Sequence, residues 1–319
     1  IGEGFLVMAI SLSLDNYDLP DTVLHMDIVK KSRSAVTAGL RGLLTDPAYA
    51  VNRDSSPGDP GLCGPGSASW VVLSDPAALF AGVRSLLLQS CHPSAIAGVE
   101  DHSDYQSDVL GRLKRTVAYV TLSVFGSKDE AETMADRVKM AHSFVKGVRP
   151  DGVPYDASDP RLLTWVHVAL VDSLLVCHQT FGRERLSDAD CDRFISEQAD
   201  ILALLGVQNG PRSTTELREA LESFKPELRK TDGSLRASSF LKNPPLPLSY
   251  KLVYPVIFNA SAETLPEFSK PMLGLRASPA AVATVKRLSG GVLSGLLDWL
   301  LEAPESKSAA TERLSKGKQ

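Results

Sequence analysis

"DASDPRLLTWVHVALVDSLLVCHQTFG", residues 156–182, decides the fold class. Asp159 stands where an N-cap carboxylate takes up free amides, Pro160 suits the first helical position, and Gly182 closes the run. Between them Leu163, His167, Leu170 and Leu174 recur in steps of three and four, the spacing of one helix face. The run is the most apolar in the chain. Asp172, His167 and His178 interrupt it, so it reads as a core helix, and nothing in the sequence anchors the chain to a membrane.

The same grammar recurs on either side. Asp75 and Pro76 open an apolar stripe of Leu79, Val83, Leu86 and Leu87 that Pro93 stops. A second helix ends near Gly126, and Ser127 with Glu130 has the spacing of a capping box for the next. Ser187 with Asp190 and Ser213 with Glu216 mark two further starts. Helices are also expected around residues 22–44 and in "GGVLSGLLDWLLEA", 290–303. The Gly, Pro and Ser density of residues 52–69 marks a loop, and the prolines of residues 241–258 predict an extended segment. "PESKSAATERLSKGKQ", 304–319, is polar enough to read as a frayed tail. The expected class is all-α.

Composition narrows the partners. With 319 residues, 43% hydrophobic and 23% charged, the chain has ample material for a core. A formal charge of -4 argues against a nucleic-acid face, which needs clustered Lys and Arg. A small or neutral substrate is the more natural partner. Cys63, Cys91, Cys177 and Cys191 are scattered without a CxxC pair, so they read as buried free thiols. No basic-then-apolar targeting signal is visible in these residues, and a cytoplasmic location is expected.

Two of the six histidines fall on apolar helical faces. His167 lies among the leucines named above, and "MAHSFVKG", 140–147, places His142 in line with Met134, Val138 and Val145. A buried imidazole needs a partner, because an unpaired polar group there costs about 1–3 kcal/mol. A backbone carbonyl or carboxylate would serve, and so would a metal. On the preceding helix Arg112, Arg115, Thr116 and Tyr119 share a face opposite Leu113, Val117, Val120 and Val124. Such a face is either solvated or a clamp for carboxylates, which guanidinium forks match. One imidazole donor with cations for propionates is what a haem site needs. Glu-x-x-His, HExxH, a Walker loop and GxSxG are all missing from the sequence.

Three blocks carry a family resemblance: residues 70–126, "RVKMAHSFVKG" at 137–147, and "YDASDPRLLTWVHVALVDSLL" at 155–175. In this order they resemble the catalytic domain of the rubber oxygenases (latex clearing proteins) and of the fungal oxygenase of mycophenolic acid biosynthesis, over roughly residues 65–260. The resemblance implies a single large helical domain with a globin-like core, a b-type haem, and oxidative cleavage of isoprenoid C=C bonds by dioxygen. It implies His142 as the axial iron ligand, and Arg112 and Thr116 of "RLKRT" as pocket residues. Rubber oxygenases carry a lysine three residues after the motif arginine, where this chain has Arg115; a guanidinium has no lone pair for iron, so distal lysine ligation is not expected. Arg115 is instead expected beside Arg112 at the propionates or bound oxygen. Glu100 in "AGVEDHSDY" is the candidate acid/base, and His167 in "TWVH" the second candidate ligand, with a packing role as its alternative.

The chain then divides into an N-terminal helical segment and loop (1–64), the haem-oxygenase-like domain (65–260), C-terminal helices packed on it (261–303) and the polar tail (304–319). The expected activity is oxygenation of an apolar alkene, with polymeric rubber disfavoured for want of a secretion signal. A haem or apolar-ligand carrier without turnover, and a purely structural helical domain, are the alternatives.

Overall fold

The computed structural model describes residues 46–102, 109–246, 254–276, 282, 285 and 305–317. The helices expected around 22–44 and 290–303, and His25, lie outside them. The described chain is helical, with α1 (Ala68–Ser74), α2 (Ala78–Gln89), α3 (Pro93–His102), α4 (Val109–Phe125), α5 (Lys128–Ser143), α6 (Pro160–Phe181), α7 (Asp188–Ala203), α8 (Thr214–Phe224), α9 (Asp232–Lys242), α10 (Tyr254–Glu263) and α11 (Glu305–Lys316). One antiparallel hairpin, β1 (Lys146–Val148) with β2 (Pro154–Asp156), interrupts the helices and pairs Gly147 with Tyr155. The all-α expectation holds.

Local chemistry explains most boundaries. Asp159 accepts the Arg161 amide, Pro160 fills the first turn, and the Gly182 amide closes α6 on the His178 carbonyl. Ser187 and Ser213 cap α7 and α8 as their spacing predicts. At α5 the Ser127 hydroxyl accepts from the Glu130 amide at 3.2 Å while the Glu130 carboxylate accepts from the Ser127 amide at 2.8 Å. Ser127→Ala removes one half of that box, and a loss of about 1 kcal/mol in unfolding free energy is expected by urea titration.

Four boundaries differ from the sequence reading. Asp75 sits in the joint where α1 and α2 meet at 93°, its carboxylate accepting the Ala77 and Arg183 amides, so α2 starts at Ala78. Pro93 does not merely follow α2; it opens α3, where its missing N–H is harmless. The segment expected to be extended to residue 258 turns helical at Tyr254, because Pro255 occupies the first turn of α10. The tail expected to fray contains α11, whose Ala309, Ala310 and Arg313 are buried.

Helix α6 is the middle of the main core. Trp165, Val168, Val171, Leu174, Cys177 and Phe181 pack there with Phe80, Leu87 and Leu88 of α2, Phe194 and Ile195 of α7, and Phe224 of α8. Among the described helices it is the one long and apolar enough by itself to cross a membrane, despite the interruptions read in the sequence. In this fold its Asp172 lies 2.7 Å from Nη1 of Arg84, which is 2% exposed. Arg84 also donates to the Ser173 hydroxyl and the Thr264 carbonyl, joining α2, α6 and the residue after α10.

A second apolar cluster holds the α4–α5 corner. Trp70 of α1 donates to the Val124 carbonyl and meets Phe125 edge-on at 5.3 Å; Leu122, Met134 and Ile201 fill in around them. Helix α11 closes this cluster. Arg313 is fully buried; it donates to the Asp59 and Phe125 carbonyls and lies 3.5 Å from the Glu130 carboxylate. Gly61, at φ +72°, takes a left-handed conformation where a side chain would run into the Gly126 carbonyl.

Candidate functional site

Helices α4 and α5 pack against each other and are joined through Gly126 and Ser127. His142 lies 14 residues beyond Lys128, and Arg112 lies 13 residues before Phe125. At a rise of about 1.5 Å per residue each stands roughly 20 Å along its own helix from the corner. Thr116 is one turn nearer the corner on the same helix. The side chain of Arg112 lies outside the described residues, while Arg115 and Thr116 are exposed on α4.

Burial fades along α5. Ala131, Met134 and Ala135 are buried, whereas Val138, His142 and Val145 are half-buried, so the expected inward face is realised fully only in the first half. The His142 imidazole has no hydrogen-bond partner among the described residues. Its place in the last helical turn would favour the cation, but desolvation dominates and holds its pKa below the usual histidine range. A neutral imidazole that is not hydrogen-bonded by any described residue would have a lone pair to give an iron, so His142 fits the donor that a haem needs. Among the described residues no three His, Cys, Asp or Glu side chains gather to hold a bare metal ion; a porphyrin needs one protein donor.

His167 is buried on α6 with Nε2 unpartnered, and burial pushes its pKa down to about 4. It lies one turn beyond Leu163, which packs with Leu202 and Val207 near the end of α7. Among the described residues α6 makes no broad contact with α5.

Glu100 is placed in a tie between α3 and α9. Arg236 donates to both its carboxylate oxygens, at 2.8 and 2.9 Å, beside Gly233. Two residues earlier Gly98 faces Val145 and the Tyr155 ring, so α3 touches the His142 segment by its opposite side. His92 accepts the Ser94 amide at Nδ1 and faces Glu227 through Nε2 at 3.4 Å. Asp159 caps α6 as expected, and the Asp156 carboxylate accepts the Ser158 amide in the turn before it. All four cysteines are buried and free, and desolvation pushes the thiols of Cys63, Cys91 and Cys177 up to about 12, far from nucleophilic thiolates.

One feature beside His142 is not legible from spacing. Met140, Phe144, Val148 and Val153 are exposed, although apolar residues at helical spacing read as core.

The model for the family "ER-bound oxygenase mpaB/B'/Rubber oxygenase, catalytic domain" matches residues 70–294, running past the limit of 260 read from the sequence and including α1 through α10. No curated protein and no solved structure matches the chain significantly. The matched span takes in more than half of the chain together with the α4–α5 pair and His142, and the protein therefore belongs to the mpaB/rubber oxygenase catalytic-domain family of oxidoreductases.

Proposed function

We propose that this protein is a haem b-dependent oxygenase that uses dioxygen to cleave a C=C bond of an apolar, isoprenoid-type alkene. The observation that carries this reading is His142, a half-buried neutral imidazole without a hydrogen-bond partner among the described residues, inside the span matched by an oxygenase family.

His142 would hold the haem iron through its imidazole lone pair, and desolvation keeps protons from competing for that lone pair. Arg112 and Arg115 supply guanidinium charge for the porphyrin carboxylates, and Thr116 a hydroxyl for hydrogen bonding in the pocket. Since Arg115 carries no lone pair, that position does not contribute a second iron ligand. His167, neutral and dry, stands as the second candidate donor. No acid/base role is assigned to Glu100, because Arg236 engages both of its carboxylate oxygens. Bound haem supplies the redox-active iron at which dioxygen is activated.

The test is the absorption spectrum of haem-reconstituted protein beside His142→Ala, followed by oxygen uptake with an isoprenoid alkene such as squalene. A Soret band that is lost or shifted in the variant, with alkene-dependent uptake in the parent, is expected. A parent protein with no Soret band sinks the haem reading. A band without uptake on any alkene favours the carrier.

A further inference from the structure

Helix α5 does not hold its own last turn. Ala131, Met134 and Ala135 in its first half are buried, while Val138 and His142 are half-buried and Met140 and Phe144 exposed. A helix end with so few buried contacts opens readily unless the chain beyond it is tied down. The tie is the hairpin, whose first strand starts at Lys146, directly after Phe144 and Val145.

The hairpin is fastened to one face of α3. The Ser94 hydroxyl accepts from Arg149 at 3.2 Å, Gly98 faces Val145 and the Tyr155 ring, the Asp101 carboxylate accepts from the Tyr155 hydroxyl at 2.5 Å, and the His102 ring contacts the Lys146 carbonyl at 2.9 Å. Positions 94, 98, 101 and 102 keep the steps of three and four that bring residues to one side of a helix. Glu100 leaves α3 by another side, toward Arg236.

Tyr155 is the centre of this contact. It is 6% exposed, stands opposite Gly147 in the hairpin, and lies so close that a Cβ on Gly147 would come within 2.6 Å of its hydroxyl. Val145 passes the fixation back to α5: its amide donates to the His142 carbonyl at 3.0 Å, and its own carbonyl accepts from the Ala157 amide at 2.9 Å.

We propose that Tyr155, through its hydrogen bond to Asp101, is a positioning residue for His142, fixing the end of α5 against α3 so that the imidazole is held in one place. That the imidazole ligates iron rests on the oxygenase reading; the tie itself does not. Groups that orient a ligand are worth about 10–100-fold in affinity at metal sites.

The experiment uses the full chain with Tyr155→Phe, which keeps the ring packing and loses the hydrogen bond, Asp101→Ala, Asp101→Asn, which keeps an acceptor oxygen, and Arg236→Gln, which breaks the tie from Glu100. The apoprotein is read by hydrogen exchange. Tyr155→Phe and Asp101→Ala are expected to speed exchange over residues 140–147 about tenfold while residues 128–136 keep parent rates. Asp101→Asn is expected to restore protection, and Arg236→Gln to leave both stretches as in the parent. Parent rates at 140–147 in both disrupting variants, acceleration along all of α5, or the same acceleration in Arg236→Gln overturns the proposal. In haem-reconstituted ferrous protein, resonance Raman is expected to show the iron–imidazole stretch shifted or broadened in Tyr155→Phe and Asp101→Ala and restored in Asp101→Asn, with haem lost about tenfold faster from the first two. A parent that takes up no haem overturns the ligand role together with the oxygenase reading. A haem-loaded parent whose band neither disrupting variant moves overturns the positioning role alone.

Discussion

Arg84→Ala lowers the unfolding free energy by about 3–5 kcal/mol, the usual cost of removing one partner of a buried ion pair. The substitution leaves the Asp172 carboxylate, 17% exposed, with no cation, and strips the Thr264 carbonyl and Ser173 hydroxyl of a donor. Much of the loss is therefore the penalty of a stranded charge. The double variant Arg84→Met, Asp172→Leu removes both charges and is expected to recover most of it. Urea titration reads both as shifts of midpoint at constant slope. A single variant within 1 kcal/mol of the parent would show that water reaches Asp172.

The apoprotein also loses stability on acidification through a histidine rather than through carboxylates alone. His167 titrates at about 4 when folded and near 6.5 when unfolded. Between those values the unfolded chain binds the extra proton, so stability is full above about pH 6.5 and falls as pH drops toward 4, by about 3 kcal/mol. His92, His142 and His178 are held down by burial as well and act in the same direction. His167→Leu isolates one contribution: the stability difference between variant and parent should move by about 3 kcal/mol in the variant's favour between pH 7 and pH 4. A difference that stays constant with pH would mean the imidazole is hydrated or partnered.

What the sequence made legible was local. The caps at Ser127, Asp159, Ser187 and Ser213 were readable because a helix start is decided by three or four neighbouring residues. His142 was singled out by its place on an apolar face, although only the first half of that face is fully buried. The rest depends on distant partners. Glu100 reads as a free carboxylate until Arg236, 136 residues on, is brought beside it. The residues of α11 read as a solvated tail, since the groups that satisfy Arg313 lie 183 to 254 residues earlier. The exposure of Phe144 carries no signature, because an apolar residue looks alike in sequence whichever way it faces.

Helix α11 also bears on how the molecule is made. During synthesis the Asp59 loop, the Phe125 corner and the first turn of α5 emerge from the ribosome long before Arg313 exists. Until then the carbonyls it will engage face solvent, and Glu130 has only its cap contacts and the Asn52 amide. The α4–α5 corner is therefore without the Arg313 contacts until α11 has been made. The ties from Arg313 to the helix pair that carries His142 become available only late in the synthesis of each molecule.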